Sequence, residues 1–400
     1  MRLLLADPME TEPLDELRVL GVQIVPRPEL TKETLPGALA DVDILVVRGT
    51  EVSATAIARA PKLNLIVRAG AGLGGVDVVA ASERGIYVAN CPGRNAHAVA
   101  ELVMGLMLAV DRRIVDAASD LRAGRWEKGR YSAAPGLYGK RIGIAGLGAT
   151  GREVLARARA FGLIPTAWSR SLTQAKAARI EVGYAASLER LAATSDVLSV
   201  HLPLTNQTRG IVGRLALEAL PEGAIVLNAA RAELFDIDAL IELIPQKKLR
   251  VAFDVFPDEP GGNSSPFVSK LIAAGAIGTP HIGASTVQAQ RAIAEEIARI
   301  VRCFLTEEDV PNVVNIARSP ARYTVVLRQL DKVGALANTL SVLKRHGINI
   351  EEISNTVFDG ARAVCTKLRV QGRPSEACLQ EIAAFEETLH VDVVSMPNLA

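Results

Sequence analysis

Cysteine is scarce in this chain: four residues in 400, Cys91, Cys303, Cys365 and Cys378, with no CxxC pair and no even framework. That pattern argues against a disulfide scaffold and leaves thiols in a reducing compartment as the simplest state. An excess of one charge is missing too. A formal net charge of +1 gives no electrostatic reason to expect nucleic acid or an anionic membrane as partner. Leu102 to Val110 is apolar but too short to span a bilayer. Asp7, Glu10 and Glu12 interrupt the N-terminus before a secretion signal can develop. A soluble cytoplasmic protein with no metal site is expected.

What is present is ordinary for folded chains: 49% hydrophobic and 22% charged residues, at a length that allows two or three domains. The organising stretch runs from Lys140 to Arg170. The apolar run Ile142-Gly143-Ile144-Ala145 reads as a buried parallel strand and leads into Gly146-Leu147-Gly148-Ala149-Thr150-Gly151, a full GxGxxG. Val154, Leu155, Ala158 and Phe161 follow at helical spacing, and Leu163 to Trp168 reads as the next strand. This is the strand–turn–helix–strand unit of a dinucleotide fold. Gly146 permits the tight turn, Gly148 lets the backbone approach a pyrophosphate, and Gly151 lets helix and strand pack closely. The helix N-terminus offers free N–H groups to phosphates. No GK[ST] follows, so nothing points to a phosphate loop of the nucleotide-hydrolase kind.

Before this unit, Arg2 to Ala6, Val22 to Val25, Ile44 to Val47, Leu65 to Val67 and Ile86 to Val88 are short apolar runs. Helical patterns such as Pro13 to Leu20 and Val78 to Arg84 lie between them, which implies a separate parallel-sheet lobe. That lobe lacks a glycine turn and is not expected to hold the cofactor. Ala98 to Asp111 reads as a long helix into the central lobe, whose strands continue through Val197 to His201, Ala224 to Leu227, Val251 to Val255 and Ala276 to Gly278. Gly283 to Phe304 reads as a strong helix leading back, with Asn312 to Ala317 completing the first lobe. Beyond Ser319-Pro320 the order becomes βαββαβ, a ferredoxin-like third domain. The expected fold class is therefore α/β: two doubly wound parallel-sheet lobes, one of them a Rossmann lobe, and a small C-terminal domain. The expected boundaries are 1–97 with 284–318, then 98–283, then 319–400.

Three stretches stand at the carboxyl ends of central strands, where open α/β sheets place their sites. They are Leu227 to Arg231, Phe253 to Pro260 and Thr279 to Gly283. Together they supply a guanidinium, a carboxylate and an imidazole, the groups needed for hydride transfer from a 2-hydroxy acid. Arginine grips the substrate carboxylate in a fork and polarises the C2 oxygen. Histidine takes the hydroxyl proton as hydride leaves. A carboxylate beside it fixes the tautomer and favours the imidazolium. Singly, Arg231, Glu259 and His281 read as a surface charge, a turn residue and a loop histidine; at three successive strand ends the catalytic reading wins.

The motifs resemble those of the D-isomer-specific 2-hydroxyacid dehydrogenases, most closely the branch that oxidises 3-phosphoglycerate and carries a C-terminal ACT domain. The marks are the glycine motif, His201-Leu202-Pro203-Leu204-Thr205, Asn228 to Arg231, Asp254 to Pro260 and Thr279-Pro280-His281-Ile282-Gly283. The resemblance implies Arg231, Glu259 and His281 as catalytic residues. It implies Gly146, Gly148, Ala149, Thr150, Gly151, Ser169, Arg170, His201, Pro203, Ala229, Ala230, Asp254 and Gly283 at the cofactor, with Asp254 at the nicotinamide ribose or amide. Val47-Arg48-Gly49-Thr50 resembles the substrate loop, with Arg48 as a phosphate or carboxylate clamp. Gly70, Ala71 and Gly72 match a backbone loop facing the substrate carboxylate, and Asn95 an asparagine near the interlobe helix. Ala98 stands where serine is common.

Two departures bear on detail. The acid that grips the adenosine ribose should close the second strand; Ser169, Arg170 and Ser171 stand there instead. That favours acceptance of NADP while leaving NAD usable. In the tail, Asp331 and Asn349 match positions that often touch an amino-acid effector, yet Gln329 lies where a serine-sensing relative carries histidine, so an effector role and a purely dimerising one both stand. A free sheet edge favours a homodimer or homotetramer. The main expectation is oxidation of 3-phosphoglycerate to 3-phosphohydroxypyruvate, the entry step to serine. An NADPH-dependent hydroxypyruvate or glyoxylate reductase is the alternative, and a dinucleotide-sensing binding protein of the same fold ranks last.

Overall fold

A computed structural model describes residues 1–260, 265–306, 309–317 and 319–395. The chain divides into two compact units, Met1–Asn315 and a second that begins at Ile316. The boundary expected at 318 falls on Arg318, which lies outside the described residues, as do residues 396–400.

The first unit holds two parallel sheets. One comprises β1 (Arg2–Leu5), β2 (Gln23–Pro26), β3 (Ile44–Val47), β4 (Leu65–Arg68) and β5 (Tyr87–Asn90), in the order β2-β1-β3-β4-β5. The other comprises β6 (Arg141–Ala145), β7 (Ile164–Trp168), β8 (Gly183–Tyr184), β9 (Val197–Val200), β10 (Ile225–Asn228), β11 (Arg250–Phe253) and β12 (Ile277–Gly278). Its order is β8-β7-β6-β9-β10-β11-β12, the Rossmann order with one added strand. β3, β9 and β10 are buried along their whole length, which is why they read as continuous apolar runs rather than alternating ones.

Helix α1 (Ala96–Arg112) leaves the first sheet and packs Val99, Val103, Met104 and Met107 against Ile142, Ile144 and Val154 of the second lobe. Helix α2 (Ile114–Arg122) begins an arm that runs on to residue 138. Helix α3 (Ala149–Ala160) follows the glycine motif. Helix α4 (Val287–Leu305) returns to the first lobe, where Ile293, Ile297, Ile300 and Val301 join the core with Leu3, Leu5, Ile44 and Val67. The helix expected from Gly283 begins only at Val287. Residues 283–286 stay in the preceding loop because Asp254 holds the Gly283 N–H, and Thr286 caps the helix by accepting from the Ala289 N–H at 3.1 Å. Residues 312–315 then lie antiparallel along β5, with Ala89 bridging Val313 and the Val314 N–H donating to the Val88 carbonyl at 2.9 Å.

The second unit has β13 (Tyr323–Leu330), helix α5 (Ala335–Arg345), β14 (Ile350–Val357), β15 (Ala363–Val370), helix α6 (Glu376–Ala383) and β16 (Thr388–Ser395). The antiparallel order β14-β15-β13-β16 is that of a ferredoxin-like sheet. Val325, Leu327, Leu368 and Val370 pack beneath Val342, Leu343 and Ile382 of the helices.

Candidate active site

The two sheets of the first unit each have a point where the strand order reverses, and ligands of open α/β folds bind in the crevice there. In the second sheet the reversal lies between β6 and β9. Gly146 turns the chain at φ 101°, and its N–H donates to the Trp168 carbonyl at 2.8 Å. A Cβ on Gly151 would stand 1.9 Å from the Gly146 oxygen, so no other residue fits there. A Cβ on Gly148 would meet nothing within 4 Å. The space in front of the α3 N-terminus, headed by Ala149 and Thr150, is therefore open to a pyrophosphate, and a dinucleotide fits the residues present. His201 closes the other side. Its N–H donates to the Ala145 carbonyl at 2.7 Å, and its Nε2 shares a hydrogen bond of 2.8 Å with the Ser199 hydroxyl. Burial pushes the His201 imidazole down to about 4, so the ring is neutral at pH 7. Pro203 follows in the same loop.

At the carboxyl end of β10 the buried Asn228 shapes the next turn. Its Oδ1 accepts from the Ala230 N–H at 2.9 Å and its Nδ2 donates to the Arg231 carbonyl at 3.0 Å. Ala229 and Ala230 line that turn, and Arg231 Nη1 is steadied on the Ala230 carbonyl at 2.6 Å.

The imidazole and the carboxylate meet. His281 Nδ1 lies 2.6 Å from Glu259 Oε2, while Glu259 Oε1 accepts from the Phe256 N–H at 2.8 Å. Burial works against the charged form of Glu259. The bonds from His281 and Phe256, and the nearby charge of Arg231, outweigh it and hold the carboxyl below its ordinary range. His281 itself sits at φ 53°, a left-handed backbone that a non-glycine residue adopts only when its surroundings impose it. Asp254 imposes it. Expected against the nicotinamide, this aspartate is 1% exposed, and its carboxylate accepts from Thr279 Oγ1 at 2.6 Å, the Ile282 N–H at 2.8 Å and the Gly283 N–H at 2.8 Å. Its carbonyl takes the His281 N–H at 2.9 Å. A Cβ on Gly283 would stand 2.9 Å from Asp254 Oδ2, so the loop closes this tightly only with glycine.

The first sheet reverses between β1 and β3, and Asp7 and Arg48 flank that crevice. Asp7 ties down the Arg48 loop by accepting from the Arg48 N–H at 2.6 Å and the Thr50 N–H at 3.1 Å. Next to it stands Arg68, paired in register with Val47 and Asn90. Burial, and the neighbouring guanidinium groups of Arg231 and Arg48, push the Arg68 pKa down from the usual arginine value. Its Nε is buried with no hydrogen-bond partner among the described residues. The loop Gly70-Ala71-Gly72 is shaped around these cations: a Cβ on Gly70 would strike Arg68 Nη1, and one on Gly72 would stand 3.0 Å from Arg231 Nη2. Asn90 holds the loop from below, Nδ2 to the Ala71 carbonyl at 2.7 Å. Three guanidinium groups from two lobes thus sit near one another, and among the described residues none of the three forms an ion pair, an arrangement that suits an anionic ligand.

Of the residues expected at the site, Arg231, Glu259, His281, Arg48 and the Gly70–Gly72 loop come together around this crevice. Ser169 and Arg170 stand at the end of β7, on the adenosine side. Asn95 occupies the cap position of α1 without a side-chain cap bond, and Ala98 is buried within that helix. Asp331 and Asn349 belong to the second unit. Arg68, Asp7, Asn90 and the clasping role of Asp254 were not expected. Arg68 could have been found: reading the fourth strand one residue further, to Arg68, places a second arginine at the edge that carries Arg48.

The description D-isomer specific 2-hydroxyacid dehydrogenase, NAD binding domain, matches residues 104–283. The chain is 39% identical over 326 residues to a D-3-phosphoglycerate dehydrogenase of Methanocaldococcus jannaschii, covering 80% of this chain and 60% of that protein. It is 39% identical over 294 residues to a hydroxypyruvate reductase of Thermotoga maritima, covering 73% of this chain and 94% of that protein. Among solved structures it resembles NAD+-bound 3-phosphoglycerate dehydrogenase of Entamoeba histolytica, with a TM-score of 0.65, 26% identity, and coverage of 80% of this chain and 99% of that one. The chain spans about 60% of the length of the first phosphoglycerate dehydrogenases it matches.

Proposed function

Because the chain belongs to the D-isomer-specific 2-hydroxyacid dehydrogenase family, we propose that it transfers hydride between C2 of 3-phosphoglycerate or 3-phosphohydroxypyruvate and a nicotinamide cofactor, the first step of L-serine biosynthesis. The observation that carries this reading is the closeness of Arg48, Arg68 and Arg231 in a crevice that also holds the Glu259–His281 pair. A substrate with a carboxylate at one end and a phosphate at the other needs more than one guanidinium.

Arg231 forks onto the substrate carboxylate and C2 oxygen, with the Gly70–Gly72 backbone alongside. Glu259 occupies His281 Nδ1, which leaves Nε2 to take the C2 hydroxyl proton. The bound nicotinamide supplies the acceptor for the C2 hydride. In the reverse direction His281 returns the proton to the oxygen as hydride arrives at C2. Arg48 and Arg68 are left for the phosphate. Steady-state reduction of 3-phosphohydroxypyruvate against hydroxypyruvate tests this: a clear preference for the phosphorylated acid is expected. Preference for the unphosphorylated acid would favour a hydroxypyruvate or glyoxylate reductase instead, the reading supported by the near-complete coverage of the T. maritima enzyme.

The second unit is read as an ACT-like regulatory domain, on its strand order and its free edge strand β14. Asp331 follows the end of β13 opposite Ala363, whereas Asn349 precedes β14 opposite Val370. The two lie at opposite ends of one sheet, so an amino-acid effector touching both would sit between two copies. A homo-oligomer is also favoured by the arm after α1, where Trp126 is 79% and Tyr138 89% exposed beside Ile114, Val115 and Leu121. Trp126→Asp should shift sedimentation toward smaller species; an unchanged profile would remove the arm from the interface.

A further inference from the structure

We infer that Glu296 is a positioning residue through which an occupied cofactor turn tightens the Gly70–Gly72 loop around the substrate acid; this rests on the dehydrogenase reading and deepens it. The stretch from Cys91 to Asn95 joins β5 to α1, and it touches both halves of the site. At its start the Cys91 N–H donates to the Gly70 carbonyl at 2.9 Å, and the side chain of Asn90 just before it holds the Ala71 carbonyl. Two residues on, Gly93 turns at φ 76°, and a Cβ there would stand 3.3 Å from the Ala149 Cβ at the head of α3. This stretch is therefore a bridge between the substrate loop and the pyrophosphate turn.

Glu296, on α4, is 3% exposed and clasps that bridge. Its Oε2 accepts from Arg94 Nη2 and from Arg299 Nε at 3.0 Å; its Oε1 accepts from Arg299 Nη2 at 2.5 Å and from Asn312 Nδ2 at 2.6 Å. Burial disfavours the charge, but the bonds from Arg299 and Arg94 outweigh it and hold the carboxyl below its ordinary range. Asn312 carries a second link. It stands at φ 59°, and its carbonyl accepts the Asn90 N–H at 3.3 Å. Two routes thus lead from one carboxylate to the substrate loop, through Arg94 and the bridge, and through Asn312 and Asn90. Arg299 lies three residues along the same helix and joins neither route; it balances the charge. Apolar side chains would hold α4 in place at a smaller desolvation cost, whereas a carboxylate also fixes where the bridge lies. A dinucleotide that orders the Ala149 turn also orders Gly93, and with Arg94 pinned to α4 the ordering extends to Cys91 and Gly70. The acid that binds next then loses less entropy in fixing its loop, which is positive coupling.

The test is calorimetry of 3-phosphoglycerate and of D-glycerate, each binding to the protein alone and to the protein saturated with NADH or NADPH. Both acids and both dinucleotides are reduced forms, so no turnover interferes. In the wild type the dinucleotide should tighten the acid by at least about fivefold. Arg94→Ala, at an exposed position, should cut that factor below about twofold while leaving the dinucleotide affinity of the protein alone unchanged. Asn312→Gly, which suits the left-handed backbone, should reduce the factor in the same direction. Arg299→Ala should lower Tm yet keep the coupling, which separates positioning from fold stability. The inference is overturned, with the dehydrogenase reading intact, if both ligands bind and the wild type shows no coupling. It is overturned equally if Arg94→Ala keeps the wild-type factor, or if Arg299→Ala loses as much of it as Arg94→Ala. If neither acid nor dinucleotide binds the wild type, both readings fall.

Discussion

At the residue scale the site turns on His281, whose left-handed backbone is held by Asp254 and whose Nδ1 is held by Glu259. His281→Ala should lower kcat by about a hundredfold to ten-thousandfold, the range typical of a lost general acid or base. Dinucleotide binding, measured by fluorescence quenching, should barely change. Equal losses in turnover and binding would make His281 a binding residue rather than a proton carrier. The places of Arg231, Glu259 and His281 could be located from the sequence because each follows a strand that alternation alone locates. The place of Asp254 could be located in the same way, but its clasping of the loop could not. Its three donors come from residues 25 to 29 positions away, and no local pattern reports which way a carboxylate turns after a strand.

At the element scale, the strands were the clearest feature, since buried parallel strands leave unbroken apolar runs. Boundaries were less so. The helix expected from Gly283 starts four residues later because a buried aspartate captures the N–H groups that would have begun it. The arm after α1 was not read at all; beyond α2 its order comes from polar contacts, which leave no apolar pattern in the sequence. Asp120 is its centre: it is 5% exposed and accepts from Arg125, from Arg130 at 2.9 Å and from the Tyr131 hydroxyl at 2.5 Å. Those bonds, the Tyr131 hydroxyl first, lower its pKa to about 2. A carboxyl depressed in the fold stabilises it above the ordinary value of 3.8 and loses that contribution as pH falls toward about 2. Tryptic cleavage at Arg125 and Arg130 should therefore be slow in the wild type at pH 7 and faster in Asp120→Asn. Hydrogen-exchange protection of residues 123–131, corrected for intrinsic rates, should stay level from pH 8 down to about 4. Equal cleavage of both proteins would show that Asp120 does not organise the arm.

At the scale of the whole molecule, the proposed chemistry is divided between the two lobes of the first unit. The second sheet supplies the dinucleotide crevice and the residues Arg231, Glu259 and His281; the first supplies the Arg48 and Arg68 guanidinium groups. A reversal of strand order marks each half of the site, which is why two ordinary α/β sheets suffice. The central claim is that the first lobe recognises a second anionic group on the substrate. The most direct measurement is kcat/KM for 3-phosphohydroxypyruvate and for hydroxypyruvate, in the wild type and in Arg48→Ala. The phosphorylated substrate should lose about tenfold to a hundredfold, the worth of one charge-assisted contact, while hydroxypyruvate changes by less than about threefold. An equal loss on both substrates, or none on either, would contradict the account.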